Sequence, residues 1–186
     1  NESQTPPEVT PDENGMMQVG ETWIEDPGEL SQSSVESFAK KLNELKGKYL
    51  SGASSVWYSV IPDKSNFAPD TVKARLDHNE MISKLTPLLS DWNYIEIGNL
   101  LSLDDYLLTD GHWRQERIVP VANAIASKLG YSVSKGEFTE KSKDGFSGDY
   151  GKYSGSSEKI TWLVSSYTSG SSCDNFQRPE STLVYD

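Results

Sequence analysis

The sequence predicts an α/β fold in which helices cover a mostly parallel sheet. Amphipathic helical patterns alternate with short β-branched and aromatic runs, in the order helix, strand, helix, strand, helix. The strand runs are nearly continuous in apolar character, as in strands buried on both faces. At 186 residues the chain is long enough to bury one core of ordinary size.

The elements follow in chain order. Residues 1 to about 20 read as an extended, polar lead-in. Trp23 and Ile24 then precede the turn signal Asp26-Pro27-Gly28, and two apolar side chains there would pin the segment onto the domain. A helix is predicted over 33–50. Val35, Phe38, Ala39, Leu42, Leu45, Tyr49 and Leu50 recur at steps of three and four as its buried stripe. Ser33 or Ser34 is placed to cap it, and Gly52 to stop it. Ser55 to Ile61 is β-branched and aromatic and closes at Pro62, which predicts a strand. A second helix is expected over about 70–89, with Pro87 tightening its last turn. A strand over 92–97 follows, closed by Gly98-Asn99. A third helix is expected from near His112 to Leu129, stopped by Gly130. Beyond it the chain is rich in Ser, Gly, Tyr and Lys. Strands are expected at 160–166 and 183–185, and the stretch 147–159 reads as a surface excursion. The domain reading is therefore an acidic flexible lead-in over 1–30 and an α/β domain over 31–186.

Charge narrows the function classes. The chain carries 17 Lys and Arg against 28 Asp and Glu, a net charge of -11. Eight of the acids, and no base, fall in residues 1–30, which leaves 17 bases against 20 acids, or -3, for residues 31–186. No basic face is available for phosphate, so a nucleic-acid partner is not expected. A polybasic membrane surface is not expected either, and no apolar run reaches the roughly 20 residues of a spanning helix. The lone Cys173 excludes an intrachain disulfide and thiol-based zinc sites. No Gly-rich phosphate loop precedes a helix, and no cofactor is expected. The acidic, Pro-containing opening resembles a stalk that follows a cleaved leader or lipid anchor. An extracellular or cell-surface location is the corresponding expectation.

Candidate chemistry centres on one of the two histidines. His112 stands in Tyr106-Leu107-Leu108-Thr109-Asp110-Gly111-His112-Trp113. An Asp two residues before a His can accept from the imidazole, fix its tautomer and stabilise the imidazolium. The alternative is a helix N-cap at Asp110 with His112 and Trp113 packed at the helix start. Asp77, His78, Asp110 and His112 would make a nitrogen and oxygen metal site if the fold assembled them. Otherwise His78 is a surface residue on the polar side of its helix. Trp57, Tyr58, Trp92, Tyr94 and Trp113 are candidates for stacking on sugar rings or for the core.

The Thr-Asp-x-His-Trp element, followed by an Ala-containing helix, resembles the DHHW protein family. That family is related to the SGNH-like domains of alginate O-acetyltransferase-type proteins. Ser59-Val60-Ile61-Pro62-Asp63-Lys64 resembles the strand ending in Pro-x-Lys that precedes the signature there. Glu96-Ile97-Gly98-Asn99-Leu100 and Phe146-Ser147-Gly148-Asp149-Tyr150 resemble flanking segments. The resemblance covers about residues 33–186. It implies a three-layer α/β/α sandwich of SGNH-hydrolase type, in a shortened version, exported and acting on or near surface glycans.

The resemblance also implies roles. His112 would be the general base and Asp110 its orienting acid, with Trp113, Lys64 and Tyr106 as binding candidates. Lys64 reads alternatively as a solvated end-of-strand residue. Three departures stand out: Gly111 replaces the first His of the signature, Arg114 follows the Trp, and Arg117-Ile118 replaces Gly-Ala. The nucleophilic Ser of such proteins comes late, and this chain has 27 Ser but no Gly-Asp-Ser-like or Lys-Asp-Ser-like element. Ser165 and Ser166 are candidates by position only. Two functions remain: O-acyl ester hydrolysis or transfer on a polysaccharide, and a non-catalytic surface module that has lost its nucleophile.

Overall fold

The computed structural model describes residues 7–132 and 138–165. The chain is a mixed α/β protein with small sheets. Its elements are β1 (Met16–Val19), β2 (Thr22–Glu25), α1 (Gln32–Tyr49), β3 (Trp57–Tyr58), α2 (His78–Leu85), β4 (Asn93–Tyr94), α3 (Val119–Lys128), β5 (Phe138–Phe146), α4 (Gly151–Ser154) and β6 (Glu158–Ser165). The strands form three two-stranded sheets. Only the pair of β3 with β4 is parallel, while β1 with β2 and β5 with β6 are antiparallel. A mostly parallel sheet is therefore not what the described residues form. The expected strands at 55–61 and 92–97 shrink to two residues each, although backbone bonds continue at Asn93 N–H to Val56 O and Ile95 N–H to Tyr58 O.

The opening segment departs most from expectation. Its second half is a folded hairpin, and Met16, Met17 and Ile24 are buried. Gly20 turns it at φ +60, the sign a tight two-residue hairpin loop needs. Met17 and Ile24 pack with Ala68 and Val72, and each fully buried aliphatic side chain stabilises the fold by about 1.5–3 kcal/mol. The acids sit on the hairpin's outer positions, so composition suggested a lead-in while three apolar side chains decide the outcome. Ile24 pins the segment as expected.

Helix α1 starts one residue early. The Ser31 hydroxyl, and not that of Ser33 or Ser34, accepts from Ser34 N–H at 3.4 Å. Its core contact is narrower than the stripe read from sequence. Val35 and Ala39 are buried against Tyr58, Leu85 and Leu89, while Phe38, Leu45, Tyr49 and Leu50 are exposed. The second helix is halved. Asp77 caps α2 by accepting from Glu80 N–H at 3.0 Å, and a 3-10 turn over Thr86–Leu89 follows, with Pro87 in it. The third helix begins at Val119 and not near His112. Pro120 lies in its first turn, where no N–H donor is needed, and Gln115–Arg117 is a separate 3-10 turn.

A third cluster joins β4 to α3. Ile95, Ile97, Leu101 and Val121 form it, with Trp57 and Trp113 against it. The antiparallel pair of β5 with β6 was half legible. β6 covers the expected strand at 160–165. β5 is polar and largely exposed along its length, so it shows no alternating pattern. Ser166 and the strand expected at 183–185 lie outside the described residues. Among the described residues no helix is long and apolar enough to cross a membrane.

Candidate active site

The site is built on the irregular stretch 107–112. Asp110 and His112 are brought together by an Asx turn. Asp110 Oδ1 accepts from His112 N–H at 2.8 Å and from the ring Nδ1 at 2.5 Å. An Asp side chain readily bonds its own backbone two residues on, so this geometry follows from the local sequence. No helix starts at Asp110, and the N-cap alternative gives way to the turn. The Asp110 side chain is 3% exposed and the His112 side chain 63%.

Asp110 is ionised at neutral pH. Burial pushes its carboxyl up, but the N–H groups of His112 and Asp149 and the His112 ring outweigh burial and hold it below the usual carboxylate range. The Asp149 N–H donates to Oδ2 at 3.1 Å. An ionised carboxylate accepts only, so the proton of the shared bond belongs to His112 Nδ1. The neutral ring then carries its lone pair on Nε2, the tautomer a general base requires.

A cleft of about 470 Å³ lies beside the ring, lined by Glu25, Gly111, His112, Asp149, Tyr150, Lys152 and Tyr153. The hairpin that supplies Glu25 is tied in by Trp23 N–H, which donates to Leu108 O at 2.9 Å. The stretch 149–153, expected as surface, is the other wall. Tyr150 N–H donates to Thr109 O at 2.9 Å, and a Cβ at Gly148 would stand 2.5 Å from Asp110 Cβ. Only glycine allows this approach. Gly111 has a similar reason, because a Cβ there would meet the Tyr150 hydroxyl at 2.6 Å. The signature's His at this position would clash with Tyr150 as it now lies.

The three binding candidates fare differently. Lys64 is not a solvated strand-end residue. It is 2% exposed, and its ammonium donates to the carbonyls of Trp23 (2.6 Å), Leu107 (2.5 Å), Asp110 (3.0 Å) and Leu108 (3.4 Å). Burial pushes the amine down to about 8, against the opposing pull of Glu158, Asp110 and Asp63. Tyr106 is a core residue. Its hydroxyl donates to Pro62 O at 2.6 Å and its ring meets Phe67. A ligand has no access to either side chain in this structure. Trp113 is half-buried, bridged to Tyr106 through the backbone and packed on the Ile97 cluster. Of the other aromatic candidates, Tyr58 packs against Trp92 edge-on at 6.3 Å and against Tyr94 at 5.2 Å, while Trp57 lies against the Ile97 cluster.

His78 corrects a further expectation. It is buried at the start of α2, with Nε2 3.4 Å from the Tyr94 hydroxyl and Nδ1 without a partner. Burial pushes its pKa down, against the pull of Glu96 and Asp77. Among the described residues, no group of three or more His, Cys, Asp or Glu is arranged to hold a metal ion, so the fold does not assemble the four-residue site.

Sequence reasoning missed Glu158. Its Oε1 accepts from Thr109 N–H at 2.8 Å and from the Thr109 hydroxyl at 2.9 Å, across 49 residues of sequence. Nothing local marks it. The aromatic-Gly segment 146–150 was the one available signal for the cleft wall.

No protein-family model matches the sequence, and no curated protein matches it. Solved structures do. A DHHW family protein from Eubacterium siraeum matches with a TM-score of 0.67 at 19% identity, over 86% of this chain and 58% of that one. PatB1 of Bacillus cereus matches with a TM-score of 0.59 at 13% identity, over 81% of this chain and 58% of that one. PatB1 with a sulfonyl adduct gives 0.62 at 12% identity, over 87% and 58%. This chain thus has the fold of a DHHW family protein and of PatB1, and spans 58% of the length of each.

Proposed function

We propose that the chain is a shortened α/β/α protein of SGNH type whose Asp110–His112 pair serves O-acyl ester hydrolysis or transfer on a surface polysaccharide. The observation that carries the reading is the 2.5 Å contact of a buried, ionised Asp110 with the Nδ1 of an exposed His112. In that chemistry His112 Nε2 takes the proton of a serine hydroxyl as the oxygen attacks the acyl carbon. The same proton then goes to the leaving alcohol, and water or an acceptor hydroxyl repeats the sequence to release the acyl group. Asp110 holds the tautomer and stabilises the imidazolium. Sulfonylation is chemistry of an activated nucleophile, and the structure with a sulfonyl adduct shares this fold. Export to the cell surface is part of this reading.

Aryl-acetate hydrolysis tests it. Asp110→Asn removes the negative charge that stabilises the imidazolium, so kcat is expected to fall by about 10²–10⁴. His112→Ala is expected to abolish turnover. Equal rates in His112→Ala and parent would sink the catalytic reading. One observation favours the second reading, a non-catalytic surface module: the sequence has no recognisable nucleophile motif. Retention of an O-acetylated glycan by the parent without turnover would establish it.

A further inference from the structure

We infer that Lys64 and Glu158 are the positioning residues of the Asp110–His112 pair, holding the backbone of residues 107–110 by its carbonyl and its amide groups. The inference rests on the acid–base reading of that pair. Residues 107–110 have no regular secondary structure to pair their peptide groups. Instead three of their carbonyls, with that of Trp23, converge on the Lys64 ammonium. An ammonium has three protons for these four acceptors, so at least one is shared. From the other side Glu158 Oε1 takes both the N–H and the hydroxyl of Thr109. The Thr109 hydroxyl in turn accepts from Gly148 N–H at 3.1 Å, which brings the cleft wall into the same network.

Two features show that this arrangement does more than fill space. Lys64 stays buried although burial disfavours its charge, and an apolar side chain of the same volume would leave the carbonyls of Trp23, Leu107 and Asp110 without this donor. Glu158 stays buried with Oε2 unpartnered. Both charges end on the peptide groups flanking Asp110, and neither reaches the imidazole. They act on the ring through the placement of Asp110, whose carboxylate lies 2.5 Å from Nδ1.

The test is the Nδ1 proton of the His112 ring, observed by NMR. The chain has two histidines, so His112→Ala assigns the signal. Charged and titratable groups around the ring include Asp110, Glu25, Asp149, Tyr150, Lys152 and Tyr153, and those around Lys64 include Glu158, Asp110, Asp63 and Tyr150. A proton held in the short bond to the Asp110 carboxylate gives a far-downfield signal. If Lys64 positions Asp110, Lys64→Met misaligns the pair and that signal is lost. If Lys64 serves folding alone, the signal of the folded variant stays where the parent has it, and this result overturns the inference. Thr109→Val leaves Lys64 and Glu158 in place and cuts only the hydroxyl links, so it carries the test where Lys64→Met does not fold. Its signal is expected to be lost or to move upfield, and an unchanged signal overturns the inference. The readout does not depend on turnover, so a signal lost on substitution in a chain that cleaves no ester refutes catalysis and leaves the positioning role standing.

Discussion

Gly148→Ala puts the packing around Asp110 to a direct test. A Cβ at this position would stand 2.5 Å from Asp110 Cβ, 2.6 Å from the Thr109 carbonyl oxygen and 2.7 Å from Asp110 Oδ2. None of these neighbours is the free end of a flexible side chain, so the turn itself must move. Two hydrogen bonds go with it, from Gly148 N–H to Thr109 Oγ1 and from Asp149 N–H to Asp110 Oδ2. Overpacking costs about 1–3 kcal/mol and each weakened bond adds about 0.5–1.5, so a loss of about 3 kcal/mol is expected. For a chain of this size that lowers Tm by roughly 6–12 °C. Gly155→Ala is the control. Gly155 has φ +62 and nothing within 4 Å of a Cβ, so its substitution costs only left-handed backbone, about 1 kcal/mol. Urea unfolding of the three proteins at one pH measures both losses. If Gly148→Ala loses no more than Gly155→Ala, the close approach of this turn to Asp110 is wrong.

Two further outcomes follow from the same geometry. The folded chain releases the Lys64 proton at about 8, whereas an unfolded lysine holds it to its ordinary, higher value. Between those values the unfolded chain binds more protons, so stability rises with pH. The gain from Lys64 is about 2 kcal/mol between pH 8 and 10, read as parent minus Lys64→Met in urea unfolding at each pH. A difference that stays flat over that window would contradict the buried, charged lysine. Leu85 is buried among Val35, Ala39, Tyr58 and Leu89, and Leu85→Ala is expected to cost about 2–5 kcal/mol by chemical denaturation. A loss under about 1 kcal/mol would mean that this cluster is not a packed core.

Legibility in the sequence followed the distance over which each interaction acts. The stripe of α1 was readable because periodic burial leaves a periodic pattern, and the strands at Tyr58 and Tyr94 because their runs are β-branched and aromatic. Boundaries were less so. Asp77 delayed the expected long helix to His78 by capping from within it, and Pro120 postponed α3 to Val119, where a first-turn proline fits. The exposure of Phe38, Leu45 and Tyr49 on α1 was not readable, since apolar spacing marks a face and not what covers it. The hairpin of Met16–Glu25 was hidden by its acids.

What the sequence determined by itself is the pairing of Asp110 with His112. The two residues are neighbours in an Asx turn, and two residues of backbone suffice to bring the carboxylate to Nδ1. What only the tertiary structure decided is everything that holds the pair in place. Lys64, Asp149 and Glu158 reach residues 107–110 from 39 to 49 residues away in the chain. Their side chains read alone as surface charges. Burial and convergent peptide groups, which no local pattern encodes, turn the lysine and the glutamate into the frame around the site.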